Sequence, residues 1–285
     1  MIPEPQRTYV LELLAALGPA AGDFVVVGAQ AIKFAVKDAR GTKDVDFVLN
    51  VIALRREHLQ LDGVLKQLGY TPVDGARNFQ FEKAIPNSQE KMRIEFMGPE
   101  EFRRPNDFRV DVQEGIHARA CTGGSIALAE SDEHPLEGRL PDGRLYAAKV
   151  RVTRPHALVM LKLLALYDRY HNIRGQREAR HDREEAQTHA ADIVAVVKAR
   201  PDLAEFRPQF EGQFGADPQL GTRVENILID FFRDPTAPGY LLYEEYLAAK
   251  LPAGREAQAE IRAESARAHG FLQGILPNAN RQEGR

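Results

Sequence analysis

The apolar positions change their spacing several times along this chain. Residues 6–17 carry Val10, Leu13, Leu14 and Leu17 at helical intervals, and Gly18-Pro19 closes that helix. The run DFVVVGA (23–29) is short, β-branched and continuously apolar, which predicts a buried strand. A helix over 29–37 follows. The period then drops to two in KDVDFVLN (43–50), a second strand, before a helical stretch over 54–69 that ends at Gly69. NFQFEKAI and EKMRIEFM alternate around PNSQ and read as a β-hairpin or at least two successive strands. Residues 98–142 have weak periodicity and read as a loop-bearing insertion with one short strand at 125–129, and RLYAAKVRV (144–152) is a further strand. From Pro155 the pattern becomes that of long helices, 155–171 and 182–199 first, with Pro155 at a helix start where its missing N–H costs nothing. The last dozen residues read as frayed. The pattern predicts a mixed α/β half, 1–154, and a helical half, 155–285.

Composition narrows the class. At 285 residues, with 44% hydrophobic and 28% charged residues, the chain is of ordinary globular make-up. A net charge of −3 exerts no overall pull on nucleic acid or an anionic membrane. The single cysteine, Cys121, excludes an intramolecular disulfide and a cysteine-built zinc site. No apolar run approaches the length of a membrane span, and the N-terminus lacks the pattern of a secretory signal, so a cytoplasmic protein is expected.

The chemistry concentrates in ARGTKDVDFVL (39–49). Asp44 and Asp46 stand two residues apart in a strand, so both carboxylates project from one side. Such a pair repels unless a cation lies between, and Mg²⁺ accepts this kind of oxygen donor together with substrate phosphates. Glu95, set among Ile94, Phe96 and Met97, is either an outward-facing acid or, if its strand lies beside 43–49, the third carboxylate of a cluster. Upstream, Gly28 joins a strand to a helix, as a simple turn or as a place where backbone N–H groups reach a phosphate.

The order strand, Gly28, helix, Thr42-x-Asp44-x-Asp46, strand, Glu95 resembles the polymerase-β-type nucleotidyltransferase superfamily over about residues 23–97. Ala29 stands where that family has Gly or Ser, which would leave phosphate contact at Gly28 and Ala29 to the backbone. RPHALVMLKLLALYDRY (154–170) resembles a segment of the abortive-infection toxin nucleotidyltransferases, with Lys162 and Arg169 on an apolar helix face. In HDREEAQTHAADIVAVV (181–197), Asp192 corresponds to an acid of that family, with Asp182 as the alternative; His189 reads as structural. Arg169, Arg174, Arg177, Arg180 and Arg183 form either a solvated charge run or a grip on an RNA backbone or nucleotide tail.

The resemblance implies an α+β fold, a nucleotidyltransferase-like mixed sheet with flanking helices, followed by a helical domain that completes the cleft. It implies an enzyme moving a nucleoside monophosphate from an NTP to an acceptor hydroxyl, with tRNA or another RNA favoured. Mg²⁺ or Mn²⁺ would be held by Asp44, Asp46 and Glu95. Catalysis would use these acids with Lys162 and Asp192, and the nucleotide would meet Gly28, Ala29, Thr42, Lys162 and Arg169. An antitoxin protein is an implied partner. Nucleotidylation of a protein or small molecule, and a degenerate nucleotide-binding module, stay open beside this reading.

Overall fold

The computed structural model describes residues 2–37, 39–56, 59–172, 176–200, 202–252 and 254–276, with the backbone alone at 176 and 177. The chain divides into two compact units, Met1–Arg154 and Pro155–Arg285.

In the first unit, α1 (Gln6–Leu17) precedes β1 (Phe24–Val27), α2 (Gly28–Ala35) and β2 (Asp44–Leu49). Then come α3 (Val51–Arg56), α4 (Leu61–Gln67), β3 (Thr71–Pro72), β4 (Gln80–Ala84) and β5 (Lys91–Pro99). The unit ends with β6 (Arg109–Gln113), β7 (Ile116–Cys121), α5 (Gly124–Ala129), β8 (Ser131–Arg139) and β9 (Leu145–Thr153). Among the described residues these strands form one mixed sheet in the order β3-β4-β5-β2-β1-β9-β8, with the β6–β7 hairpin joined to the far end of β5. The fold is α+β.

Alternation along the central strands separates two faces. Phe24, Phe47, Phe81 and Phe96 are buried on one of them, with ring centroids 5.5–5.9 Å apart between Phe24 and Phe47, Phe24 and Phe96, and Phe81 and Phe96. Each such ring removes about 150–250 Å² from water, so this face fixes which way every strand must turn. The residues between them, Asp44, Asp46, Arg93 and Glu95, therefore point the other way, where the sheet is only partly covered.

Two regions differ from the sequence pattern. The expected helix over 54–69 is two helices, α3 and α4; Glu57 and His58 between them lie outside the described residues. The expected loop region 98–142 contains three strands, and 125–129 is a helix rather than a strand. β8 is an edge strand paired only with β9, and Leu136 is its one fully buried residue, so it shows no apolar period. Pro135 is tolerated there because an edge strand can spare an N–H. The apolar run Ser125–Ala129 had no periodicity to separate helix from strand. A left-handed Gly123 (φ +78°) turns the chain into α5, and Gly124 lies so near Pro99 that a Cβ would meet its Cα at 2.9 Å.

The second unit is all helix: α6 (Pro155–His171), α7 (Gln176–Lys198), α8 (Leu203–Gly212), α9 (Pro218–Phe232), α10 (Pro238–Ala248) and α11 (Arg255–Gln273). α7 is its centre, packing on α6, α10 and α11 through Ile193, Val194, Val196 and Val197. Asp202 and Asp217 cap α8 and α9 by accepting backbone N–H groups at 2.9–3.2 Å. α7 starts at Gln176, six residues before the expected position, because its first turns are charged and carry no apolar stripe. The frayed end expected from the sequence lies mostly outside the described residues, which stop at Leu276.

Candidate active site

The site forms where β1 runs into α2. Val27 is opposite Asp46 in the antiparallel β1–β2 pair, so the next residue must leave the sheet beside that carboxylate. Gly28 does so with φ +63°. A Cβ on Gly28 would lie 2.0 Å from Asp46 Oδ2 and 3.0 Å from its Cγ. Both the dihedral and the space demand glycine, and the Asp46 carboxylate rests directly against the backbone that opens α2. Ala29, the next residue, is buried and offers that helix N-terminus its backbone only.

Asp44 is exposed and Asp46 half-buried on the same face of β2. The approach to them is held by Gln30, whose Nε2 donates to the Thr42 carbonyl at 3.3 Å. Thr42 Oγ1 in turn accepts from the Asp44 N–H at 3.4 Å. Gln30 is fully buried and was not singled out in the sequence; its signal is an amide side chain inside the otherwise apolar start of a helix.

β5 lies parallel to β2, with Glu95 level with Asp46. Adjacency of these strands is what the sequence required of a third acid, yet Glu95 is otherwise engaged. Its Oε2 accepts from Gln80 Nε2 at 2.6 Å, and its Oε1 is 2.6 Å from Arg119 Nε. Among the described residues, no three His, Cys, Asp or Glu side chains converge as a metal site. Arg119, on β7, is the second residue the sequence did not reveal. Burial works against its charge, but Glu95, Cys121 and Asp46 together raise its pKa above the usual arginine value. The Cys121 thiol is pushed up to about 11, first by burial, then by Glu95, Glu100 and Asp46, against the lowering effect of Arg119. Cys121 is therefore a neutral thiol at physiological pH, not a nucleophile.

Asp44 and Asp46 offer hard oxygen donors on one face beside a helix N-terminus. This donor set fits Mg²⁺, which takes one or two carboxylates and completes its shell with phosphates and water.

Lys162, Arg169, Asp182 and Asp192 come together in the helical unit. Lys162 Nζ is 2.8 Å from Asp192 Oδ2, with 9% and 4% of the side chains exposed. Seven residues on, Arg169 Nη1 donates to Asp182 Oδ1 at 2.9 Å, and Asp182 is fully buried. The lysine inside MLKLLAL thus has a carboxylate partner on the neighbouring helix, and both acids considered in the sequence are used, one for each cation. His189 is half-buried on α7. Of the remaining arginines, Arg180 pairs with Glu184 and Arg183 with Glu245. Arg174 and the side chain of Arg177 lie outside the described residues.

A strand–Gly–helix turn set against an Asp-x-Asp strand defines the class, a nucleotidyltransferase, and the comparison with known families gives the same answer. The chain belongs to the nucleotidyl transferase AbiEii toxin family of type IV toxin–antitoxin systems, which it matches over residues 12–269. Among solved structures it is similar to JHP933 from Helicobacter pylori, at 14% identity and a TM-score of 0.39, covering 96% of this chain and 95% of that one. A second H. pylori chain, with a proposed nucleotidyltransferase assignment, gives 14% identity and a TM-score of 0.38 over 97% of this chain and 100% of that one. No curated protein matches the chain. Among the described residues no helix is long and apolar enough to cross a membrane.

Proposed function

We propose that this chain is a cytoplasmic, Mg²⁺-dependent toxin that transfers a nucleoside monophosphate from an NTP to a hydroxyl of RNA, tRNA above all. The supporting observation is the Asp46 carboxylate seated on Gly28. One contact unites the acid pair with the backbone turn at the start of α2. In this reading Asp44 and Asp46 hold Mg²⁺ or Mn²⁺, and the N–H groups at the start of α2, Ala29 included, receive phosphate oxygens. A metal held by Asp44 and Asp46 would supply positive charge to those oxygens and to the leaving pyrophosphate. The acceptor oxygen bonds to the α-phosphorus, the bond to the β-phosphate oxygen breaks, and the hydroxyl proton passes to water. Positioning and electrostatics supply most of the rate.

Lys162 and Asp192 enter as a pair. The resemblance gives them nucleotide-facing roles, and their geometry gives them a second one, holding α6 to α7.

The test is incubation with each α-labelled NTP, Mg²⁺ and total RNA, beside an Asp44→Asn/Asp46→Asn control. Label on tRNA from the wild type alone is the expected result. Label on protein moves the acceptor to a polypeptide. Mg²⁺-dependent NTP binding without any transfer leaves a small-molecule acceptor or a binding module, and no NTP binding overturns the reading. Expression without an antitoxin should arrest growth for the wild type and not for the double variant.

A further inference from the structure

We infer that Arg119 is a further catalytic residue, a guanidinium that faces the NTP phosphates, and that Glu95 is its anchor rather than a metal ligand. This rests on the nucleotidyl-transfer reading of the same site. Asp46 and Glu95 are level on neighbouring parallel strands, on the same face of the sheet. Two carboxylates so placed repel each other unless a cation intervenes. The protein supplies that cation itself. Arg119 stands on β7, which joins β5 in parallel with Met97 level with Arg119, so its side chain shares the face of Glu95 and Asp46.

The way Arg119 is held says what it is for. Its Nε faces Glu95 Oε1 at 2.6 Å, and Gln80 Nε2 takes Glu95 Oε2 at the same distance. Oε2 of Glu95 is thus hydrogen-bonded and Oε1 ion-paired inside the protein, and a metal could use them only by breaking these contacts. The other end of the guanidinium is different. Nη1 and Nη2 have no hydrogen-bonded partner among the described residues, and the side chain is 40% exposed. An arginine ion-paired through Nε keeps its four Nη–H donors in a planar fork, the geometry that matches a phosphate with two parallel bonds. Here the fork opens on the face that carries Asp46, whose charge Arg119 feels. The site therefore combines two carboxylates for a metal with one fixed guanidinium, which meets the negative charge that grows on the triphosphate as pyrophosphate departs. In sites built on two metals, the second ion supplies that charge.

The experiment uses the full chain as wild type, Arg119→Gln, Arg119→Lys, Glu95→Gln and the Glu95→Gln/Arg119→Gln double variant. Three quantities are measured: transfer kinetics, equilibrium binding of an α,β-methylene NTP with Mg²⁺, and Mn²⁺ binding followed by electron paramagnetic resonance. Arg119→Gln should lower kcat by about 100-fold, the scale of removing one preorganised donor to a charged transition state. It should weaken the analogue by roughly 10-fold, about one charge-assisted hydrogen bond, and leave Mn²⁺ binding unchanged. Glu95→Gln should give a smaller loss of the same kind, and the double variant should be no worse than Arg119→Gln. Arg119→Lys keeps a cation for Glu95, and with it the fold, but has no fork to spare, so its kcat should stay low.

An Arg119→Lys enzyme at wild-type kcat overturns the inference. So does a Glu95→Gln variant that weakens Mn²⁺ while Arg119→Gln transfers normally, since Glu95 would then be the third metal ligand. If Arg119→Gln fails to fold, Arg119→Lys decides alone. Failure of the underlying reading looks different: the wild type itself would neither bind NTP nor exceed the Asp44→Asn/Asp46→Asn control.

Discussion

Gly28 answers to a steric and a conformational demand at once, so a single methyl group there is informative. Gly28→Ala must place a side chain at φ +63°, a strain of about 1–2 kcal/mol for a non-glycine residue. It must also push the Asp46 carboxylate away from a point 2.0 Å off. Transfer activity is expected to fall by about 100-fold, the effect of displacing a reacting group by roughly 1 Å. Gly41→Ala is the control, since nothing lies within 4 Å of its added Cβ. Comparing the initial rates of the two variants checks the expectation. Cys121 gives a second test at this scale. With its thiol pushed up to about 11, alkylation by iodoacetamide should be slow at pH 8 and accelerate as the pH approaches that value. Peptide mass spectrometry of the native protein across a pH series measures it. A fast reaction at pH 8 would show that Cys121 is not in the acidic surroundings described.

Between elements, α6 and α7 are joined by two cation–carboxylate pairs, the buried Lys162–Asp192 and the part-buried Arg169–Asp182. Removing Lys162 takes the counter-ion from a carboxylate that is only 4% exposed, which costs about 3–5 kcal/mol. Lys162→Ala should destabilise the protein by that amount in urea denaturation. A Lys162→Met/Asp192→Leu double variant removes both charges and should return to within about 1.5 kcal/mol of the wild type, since well-packed apolar replacements of buried pairs are often neutral. The double variant also separates two roles that share one residue. If it is stable but transfers no nucleotide, Lys162 serves the substrate as its sequence context implies. If it is stable and active, the pair serves packing alone.

For the whole molecule, carboxylates in both units are held below their ordinary range. In the α+β unit Asp111 is lowered first by Arg104, and Asp107 first by Arg109. In the helical unit burial acts to raise Glu264, but Lys198, Arg267 and Tyr243 outweigh it and bring it down, and Arg183 lowers Glu245. A carboxyl whose folded pKa lies below its unfolded one stabilises the fold at pH values above the unfolded pKa, and that stability is lost as pH falls through the folded pKa. The midpoint of thermal unfolding should therefore be flat near neutrality and drop below about pH 4, where unfolded carboxyls begin to take up protons. Glu264→Gln should start from a lower midpoint and lose less of it on acidification. Calorimetry at pH 7 and pH 3.5 on the two proteins provides the check.

The sequence alone determined the elements and chemistry that repeat locally. The strand within 23–29, the helix expected over 29–37, the Asp44–Asp46 face and the helix over 155–171 each follow from spacing within a dozen residues or so, because strand and helix periods are local properties. The strands of 98–142 escaped it, since an edge strand such as β8 has no buried face to leave an apolar rhythm. Everything that depends on register across distant strands waited for the tertiary structure. Only pairing of β2 with β5, and of β5 with β7, brings Asp46, Glu95 and Arg119 to one face, from positions separated by as many as 73 residues of chain. The same is true of Lys162, whose carboxylate partner on α7 is supplied by helix packing. A sequence shows which side chains can carry charge and on which side of a local element they stand. Which opposite charge each one meets is set by packing, because an ion pair depends on distance in space and on exclusion from water, and neither is a function of separation along the chain.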